Sequence, residues 1–233
     1  MSIKIVALSD LHGYLPEIET PADIMIIAGD IVPFEIQFNK YQSKKWFEND
    51  FASWIKELPV DEVFAVAGNH DAYLESINQI NLGLLRQATN FKLKYLKNNW
   101  LNYVAMNGES IKIFGTPYCS IYGTWPFMRP DESLTKKYAK IPEDVDVIIS
   151  HDPPFAISDA DVILDDIRRK GMMVHLGNKP LSEKIKDINF DILFCGHIHS
   201  GDHNLVNKIV NVSIRNEQMA PTYSPFYYEI NKQ

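Results

Sequence analysis

The sequence predicts a layered α/β fold, and three observations carry that prediction. Short, almost continuously apolar runs read as strands covered on both faces. Between them lie stretches whose apolar residues recur at helical spacing. Most of a set of metal-donor side chains follow directly on such runs, as they do where strands end at one edge of a sheet. With 233 residues, 45% of them hydrophobic, the chain can build one sizeable core. No repeat, low-complexity tract or linker divides it, so a single domain over residues 1–233 is expected.

Residues 3–8 and 23–28 are the first two strands. Across residues 43–58, Phe47, Phe51, Trp54, Ile55 and Leu58 recur at helical spacing, with Lys44, Lys45, Glu48, Lys56 and Glu57 largely opposite. A strand over 62–67 and a helix over 74–88 follow, the latter weakened by Gly83. Residues 100–105, 110–114 and 145–149 read as strands. The intervening loop, 115–130, holds Tyr118, Tyr122, Trp125 and Phe127, which suit either a core edge or a platform for a nucleobase. Helices are expected at 131–140, 160–170 and 179–188, around a further strand at 190–195. From Leu205 strand-like runs alternate with turns.

A net charge of -7 and a pI near 5.5 argue against a surface for non-specific polyanion binding, so nucleic acid is not an expected partner. The basic clusters Lys92/Lys94/Lys97, Lys136/Lys137/Lys140 and Arg168/Arg169/Lys170 read as solvated faces. Cys119 and Cys195 make no disulfide framework, and Cys195 reads as a buried, inert thiol. The N-terminus enters a strand pattern without a signal peptide, and no stretch has membrane-spanning length. A cytoplasmic protein without a membrane partner is expected.

Five short segments supply oxygen and nitrogen donors: Asp10-x-His12, Gly29-Asp30, Gly68-Asn69-His70-Asp71, Ser150-His151-Asp152 and Gly196-His197-x-His199. In an extended backbone residues i and i+2 face the same way, so Asp10 with His12, and His197 with His199, can each grip one ion. Gly29 lets the chain turn, and the two oxygens of Asp30 can bridge two metals. Imidazoles, carboxylates and an amide oxygen without thiolate suit Mn²⁺, Fe²⁺ or Zn²⁺, and argue against a structural zinc site.

In this order the segments resemble the calcineurin-like metallophosphoesterase superfamily, whose motifs run DxH, GD, GNH, a lone histidine after a strand, and GHxH. They stand here as SDLH, AGDI, AGNHD, SHDPP and CGHIHSG, and span most of the chain. FGTPY at Phe114–Tyr118, with SHDPP and GHIHSG, is most similar to the small single-domain metallophosphodiesterase branch. Weaker similarity extends to Asn211-Val212-Ser213. The resemblance implies a two-sheet β-sandwich flanked by helices, in four layers, with two divalent metal ions at the strand ends. Asp10, His12, Asp30 and His199 would hold one ion, and Asp30, Asn69, His151 and His197 the other; Mn²⁺ is favoured.

His70 would contact phosphate and protonate the leaving oxygen, with a metal-bridging hydroxide as nucleophile. Protein phosphatases of this superfamily read GDxxDR, and the second Asp supports the catalytic histidine. Here the segment is Gly29-Asp30-Ile31-Val32-Pro33-Phe34, which leaves Asp71, counted with His70 as catalytic, or Asp152 to orient that ring. The expected function is a phosphodiesterase for a small or nucleotide-like phosphate ester. A nuclease of the DNA-repair type and a non-catalytic metal-binding scaffold are the alternatives. His175 reads as an active-site rim residue or a helix-entry packing residue, and His203 as an exposed loop residue. Arg215 reads as part of a surface ion pair in preference to a contact for a substrate phosphate, and Asp159, Asp161, Asp165 and Asp166 as a solvated helix start in preference to a further metal site.

Overall fold

Alternate residues of the apolar runs serve two different cores, which is why those runs look continuously hydrophobic in sequence. The computed structural model describes residues 2–106, 108–165 and 172–231. Among these, β1 (Ser2–Leu8), β2 (Ile24–Ala28), β3 (Glu62–Val66), β4 (Leu93–Tyr95) and β12 (Phe226–Asn231) form one sheet in the order β12-β1-β2-β3-β4. It is parallel except for β12. A second sheet joins β5 (Asn99–Val104), β6 (Ser110–Thr116), β7 (Val147–Ser150), β10 (Ile192–Cys195) and β11 (Ile209–Asn211) in the order β11-β10-β7-β6-β5. Here only the β5–β6 pair is antiparallel.

Ile5, Ala7, Ile26, Ala28, Phe64 and Val66 of the first sheet share an inter-sheet core with Ile111, Ile113, Val147, Ile149 and Phe194 of the second. The neighbouring residues Val6, Leu8, Met25, Ile27, Val63, Ile148 and Leu193 belong instead to a core completed by helices. The arrangement is the sandwich with flanking helices implied by the sequence motifs.

One amphipathic stretch runs through α1 (Lys40–Trp46), a π-helical turn (Phe47–Phe51) and α2 (Ala52–Glu57), and buries Phe47, Phe51 and Ile55. It starts earlier than the apolar pattern suggests because Asn39 caps it, accepting from Gln42 N–H (3.1 Å). The helix expected over 74–88 is two helices, α3 (Ala72–Glu75) and α4 (Gln79–Ala88). Asn78 restarts the second by accepting from Asn81 N–H (2.9 Å), whereas Gly83 lies inside α4 with open space beside it.

α5 (Asp131–Tyr138) and α6 (Lys179–Lys186) pack together and bury Leu134, Tyr138, Leu181 and Ile185. The helix expected over 160–170 does not begin as one. A 3₁₀ turn at Asp159–Asp161 leads into β8 (Val162–Asp165), antiparallel to β9 (Met172–His175), and the rest of that span lies outside the described residues. Within the turn Asp161 is buried as an anchor, whereas Asp159 is exposed. Among the described residues no helix is long and apolar enough to cross a membrane.

Phe64 is fully buried between the sheets. Phe64→Ala is expected to lower the stability by about 3–5 kcal/mol, read as a lower denaturant midpoint with an unchanged slope. A loss under about 1 kcal/mol would contradict the inter-sheet core.

Candidate metal centre

The loops that follow β1 and β2 run side by side. Asp10 N–H donates to Gly29 O (3.0 Å), His12 N–H to Asp30 O (2.9 Å) and Gly13 N–H to Ile31 O (3.0 Å). The second sheet is stitched to the first at the same end: Ser9 N–H donates to Val212 O (2.8 Å), and Ile214 N–H to Ser9 O (3.1 Å). His151, just past β7, turns its Nδ1 to Ala28 O at 2.8 Å. A carbonyl only accepts, so the proton sits on Nδ1 and Nε2 is left as the donor atom for a cation.

The backbone is left-handed at four proposed ligands: Asp10 (φ 57°), His12 (42°), Asp30 (52°) and His197 (70°). Each such residue costs on the order of 1–2 kcal/mol, and the strain persists where surrounding contacts over-determine it. Gly29 (φ 104°) answers a closer constraint, because a Cβ there would lie 2.4 Å from His151 Nδ1. At Gly68 a Cβ would lie 2.1 Å from Asp30 Oδ1.

Six of the seven proposed ligands fall into two groups, and the seventh, Asn69, lies beside the second. Asp10, His12 and His199 form one, Asp30, His151 and His197 the other, with the donor atoms of each within 4.8 Å of one another. Asp30 Oδ2 lies between the groups, 3.7 Å from His12 Nε2 and 3.4 Å from His151 Nε2. Asn69 Oδ1 is 3.0 Å from His151 Nε2. His199 Nε2 is 3.3 Å from Asp10 Oδ1, and its Nδ1 faces Asn216 O at 3.3 Å.

Neither ligand pair sits on the extended backbone expected of it. His197 and His199 serve different groups, because the left-handed turn at His197 breaks the extended path. Asp10 and His12 do share a group, but through a turn rather than a strand.

These residues fit divalent cations. Both ring nitrogens of His12 are buried without a hydrogen-bond partner, a costly state that a cation at Nε2 relieves. The donors are imidazoles, carboxylates and an amide oxygen, as first-row divalent ions prefer. Burial opposes ionisation of Asp10, yet His199 beside it prevails and holds the carboxyl below its ordinary range. At Asp30 burial is likewise outweighed, here by His151 and His70. Burial drives His12 down to about 4. His151 is pushed up to about 10, since the Asp30 carboxylate overcomes the effect of burial.

The expected orienters of His70 are elsewhere. Asp71 is buried and accepts from the backbone N–H groups of Gly68 (2.8 Å), Ile31 (3.1 Å) and Val32 (2.9 Å), which ties the Asp30 loop to the Asn69 loop. Burial and the charge of Asp30 raise its carboxyl to about 7. Asp152 accepts from Ser120 N–H (2.8 Å) and Asn178 Nδ2 (3.0 Å). The group facing His70 Nδ1 is Gln37 Oε1, which no motif marks. Phe34 stacks on His12 (3.9 Å, 12°), another contact that sequence patterns do not signal.

The aromatic loop divides its roles. Tyr118 and Phe127 are buried, whereas Trp125 lies 4.6 Å from the His70 ring and Tyr122 5.4 Å from the His197 ring. Among the described residues Arg215 makes no ion pair: its guanidinium donates to the carbonyls of Leu11 (2.9 Å) and Met219. His175 pairs with buried Asp161 (2.6 Å) at the entry to α6, and His203 stacks on Tyr223 (3.8 Å) rather than standing free.

Metal loading must displace protons. Below about 10 the metal-free His151 is protonated, and His199 is also raised, Asp10 prevailing over burial. Mn²⁺ affinity is therefore expected to rise between pH 6 and pH 8, by roughly tenfold per unit for each proton displaced. Titration calorimetry in buffers of different ionisation enthalpy should show at least one proton released; release of none would contradict the charge state given to His151.

Comparison with known proteins identifies the family. The family model for calcineurin-like phosphoesterase matches residues 3–201. An uncharacterized protein of Methanocaldococcus jannaschii is 28% identical over 99% of this chain and 93% of its own length. The metallophosphoesterase domain-containing protein 1 of Homo sapiens is 24% identical over 97% of this chain and 71% of its own. A probable rhamnogalacturonate lyase C of Emericella nidulans is 28% identical over 85% of this chain, which spans only 17% of that protein. A solved structure that is 19% identical shares the fold at a TM-score of 0.61, covering 91% of this chain and 90% of its own. The chain belongs to the calcineurin-like phosphoesterase family, and is by that membership a metal-dependent phosphoesterase.

Proposed function

We propose that the protein is a dinuclear-metal phosphodiesterase for a small or nucleotide-like phosphate ester. The observation that carries this reading is the position of Asp30, whose Oδ2 lies within 3.7 Å of a histidine from each donor group. Asp10, His12, Asp30 and His199 would hold one ion, and Asp30, Asn69, His151 and His197 the other; the donor set suits Mn²⁺, Fe²⁺ or Zn²⁺, and the family resemblance favours Mn²⁺. When bound, such a pair supplies charge neutralisation at the phosphoryl oxygens and an acidified water as nucleophile.

The chain's own residues shape the rest. His70, with 18% of its side chain exposed and Nε2 3.8 Å from Asp30 Oδ2, is placed to contact the ester and protonate the leaving oxygen. Arg215 spends its donors on backbone carbonyls, and the rings of Phe34, Trp125 and Tyr122 line the donors instead. Apolar walls of this kind favour a singly charged diester over a doubly charged monoester. The net charge of -7 supports a small substrate over nucleic acid. Cys119 and Cys195, both free and buried, are consistent with a reducing cytoplasm.

Bis-p-nitrophenyl phosphate is expected to be turned over at least about tenfold faster than p-nitrophenyl phosphate, with activity lost on chelation and restored by Mn²⁺. A preference for the monoester would reject the diester reading. His70→Ala should lower kcat by about 10²–10⁴ while metal content stays unchanged, so full turnover in that variant would remove His70 from the mechanism.

A further inference from the structure

The His70 ring is held from outside all five motifs. Gln37, which faces its Nδ1, ends the 3₁₀ turn Phe34–Ile36 and donates its N–H to Phe34 O (3.4 Å). Ser43 Oγ donates to Ile36 O (2.8 Å) and fastens that turn to α1. Phe34 stands edge-on to the imidazole (5.2 Å, 86°), and Trp125 covers it at 4.6 Å. The backbone N–H of His70 donates to Asp30 Oδ1 (2.8 Å), which fixes the base of the side chain. Turning the ring over would break the Gln37 contact.

We propose that Gln37 is the positioning residue for His70, selecting the tautomer protonated on Nδ1 and aiming Nε2 at the leaving oxygen of a bound ester. The proposal rests on the phosphodiesterase reading of the centre above. An amide oxygen accepts a hydrogen bond without carrying charge, so Gln37 orients the ring without adding a third carboxylate beside Asp10 and Asp30. In the step served, the attacking oxygen forms a new bond to phosphorus. The bond from phosphorus to the leaving oxygen breaks, and its electron pair goes to that oxygen. The Nε2 proton of the His70 imidazolium passes to the same oxygen, and the ring is left neutral with its remaining proton on Nδ1, still donated to Gln37.

The test compares wild type, Gln37→Leu and Gln37→Glu, each with Mn²⁺ content measured, on methyl phenyl phosphate and methyl 4-nitrophenyl phosphate. Phenolate is the poorer leaving group and depends more on a delivered proton. The ratio of kcat on the phenyl ester to kcat on the nitrophenyl ester is expected to fall about 10- to 100-fold in Gln37→Leu, and to stay near the wild-type ratio in Gln37→Glu. An unchanged ratio in Gln37→Leu overturns the proposal. Ring-nitrogen NMR of the metal-free protein in alkaline buffer reads the same assignment without turnover. The His70 signals, identified by their loss in His70→Ala, should report Nδ1–H in wild type and lose that preference in Gln37→Leu; an identical tautomer in both overturns it. A Mn²⁺-loaded wild type that cleaves neither ester rejects the phosphodiesterase reading instead, and the NMR comparison then decides the role of Gln37.

Discussion

Two ionised carboxylates, Asp10 and Asp30, are buried at the seam where the two sheets meet. Removing such charges from water costs several kcal/mol each unless partners surround them, and much of this edge of the molecule supplies those partners. His199 faces Asp10, while His12, His70 and His151 face Asp30. The backbone N–H of His197 reaches both oxygens of Asp10 (3.2 and 3.1 Å), and that of His70 reaches Asp30. The left-handed turns and the crowded glycines are the conformational consequence of bringing so many groups to two carboxylates.

The same seam joins the sandwich. Ser9 leaves β1 bonded to Val212 and Ile214 of the chain beyond β11, and His151 leaves β7 bonded to Ala28 at the end of β2. Donors from both sheets therefore hold their separations through main-chain bonds, and Asp71 extends the bracing to the Asn69 loop. Part of the support comes from residues beyond 201, where the family match ends: Arg215 grips the carbonyl of Leu11, and Asn216 receives His199 Nδ1. Outer contacts of this kind orient ligands and set which ring nitrogen is free.

The surroundings of the donors are aromatic where a phosphatase reading would look for a guanidinium. Phe34 lies against His12, and Trp125 against His70. Such rings shield the imidazoles from water without competing for phosphate, and water exclusion strengthens every charge interaction inside.

The sequence alone determined the alternation of strands and helices, the seven candidate donors Asp10, His12, Asp30, Asn69, His151, His197 and His199, and the chemistry that such a set implies. Apolar period and donor type are local properties, so they survive in a linear reading. It was silent on Gln37 and Phe34, misread Arg215 and Asp161, and ran a helix through β8. The motif resemblance already divided His197 and His199 between two ions, but only the fold shows how residues two apart come to separate groups, through a left-handed φ at His197. Those outcomes depend on which distant backbone carbonyls and rings a side chain meets, and only the packed tertiary structure decides that.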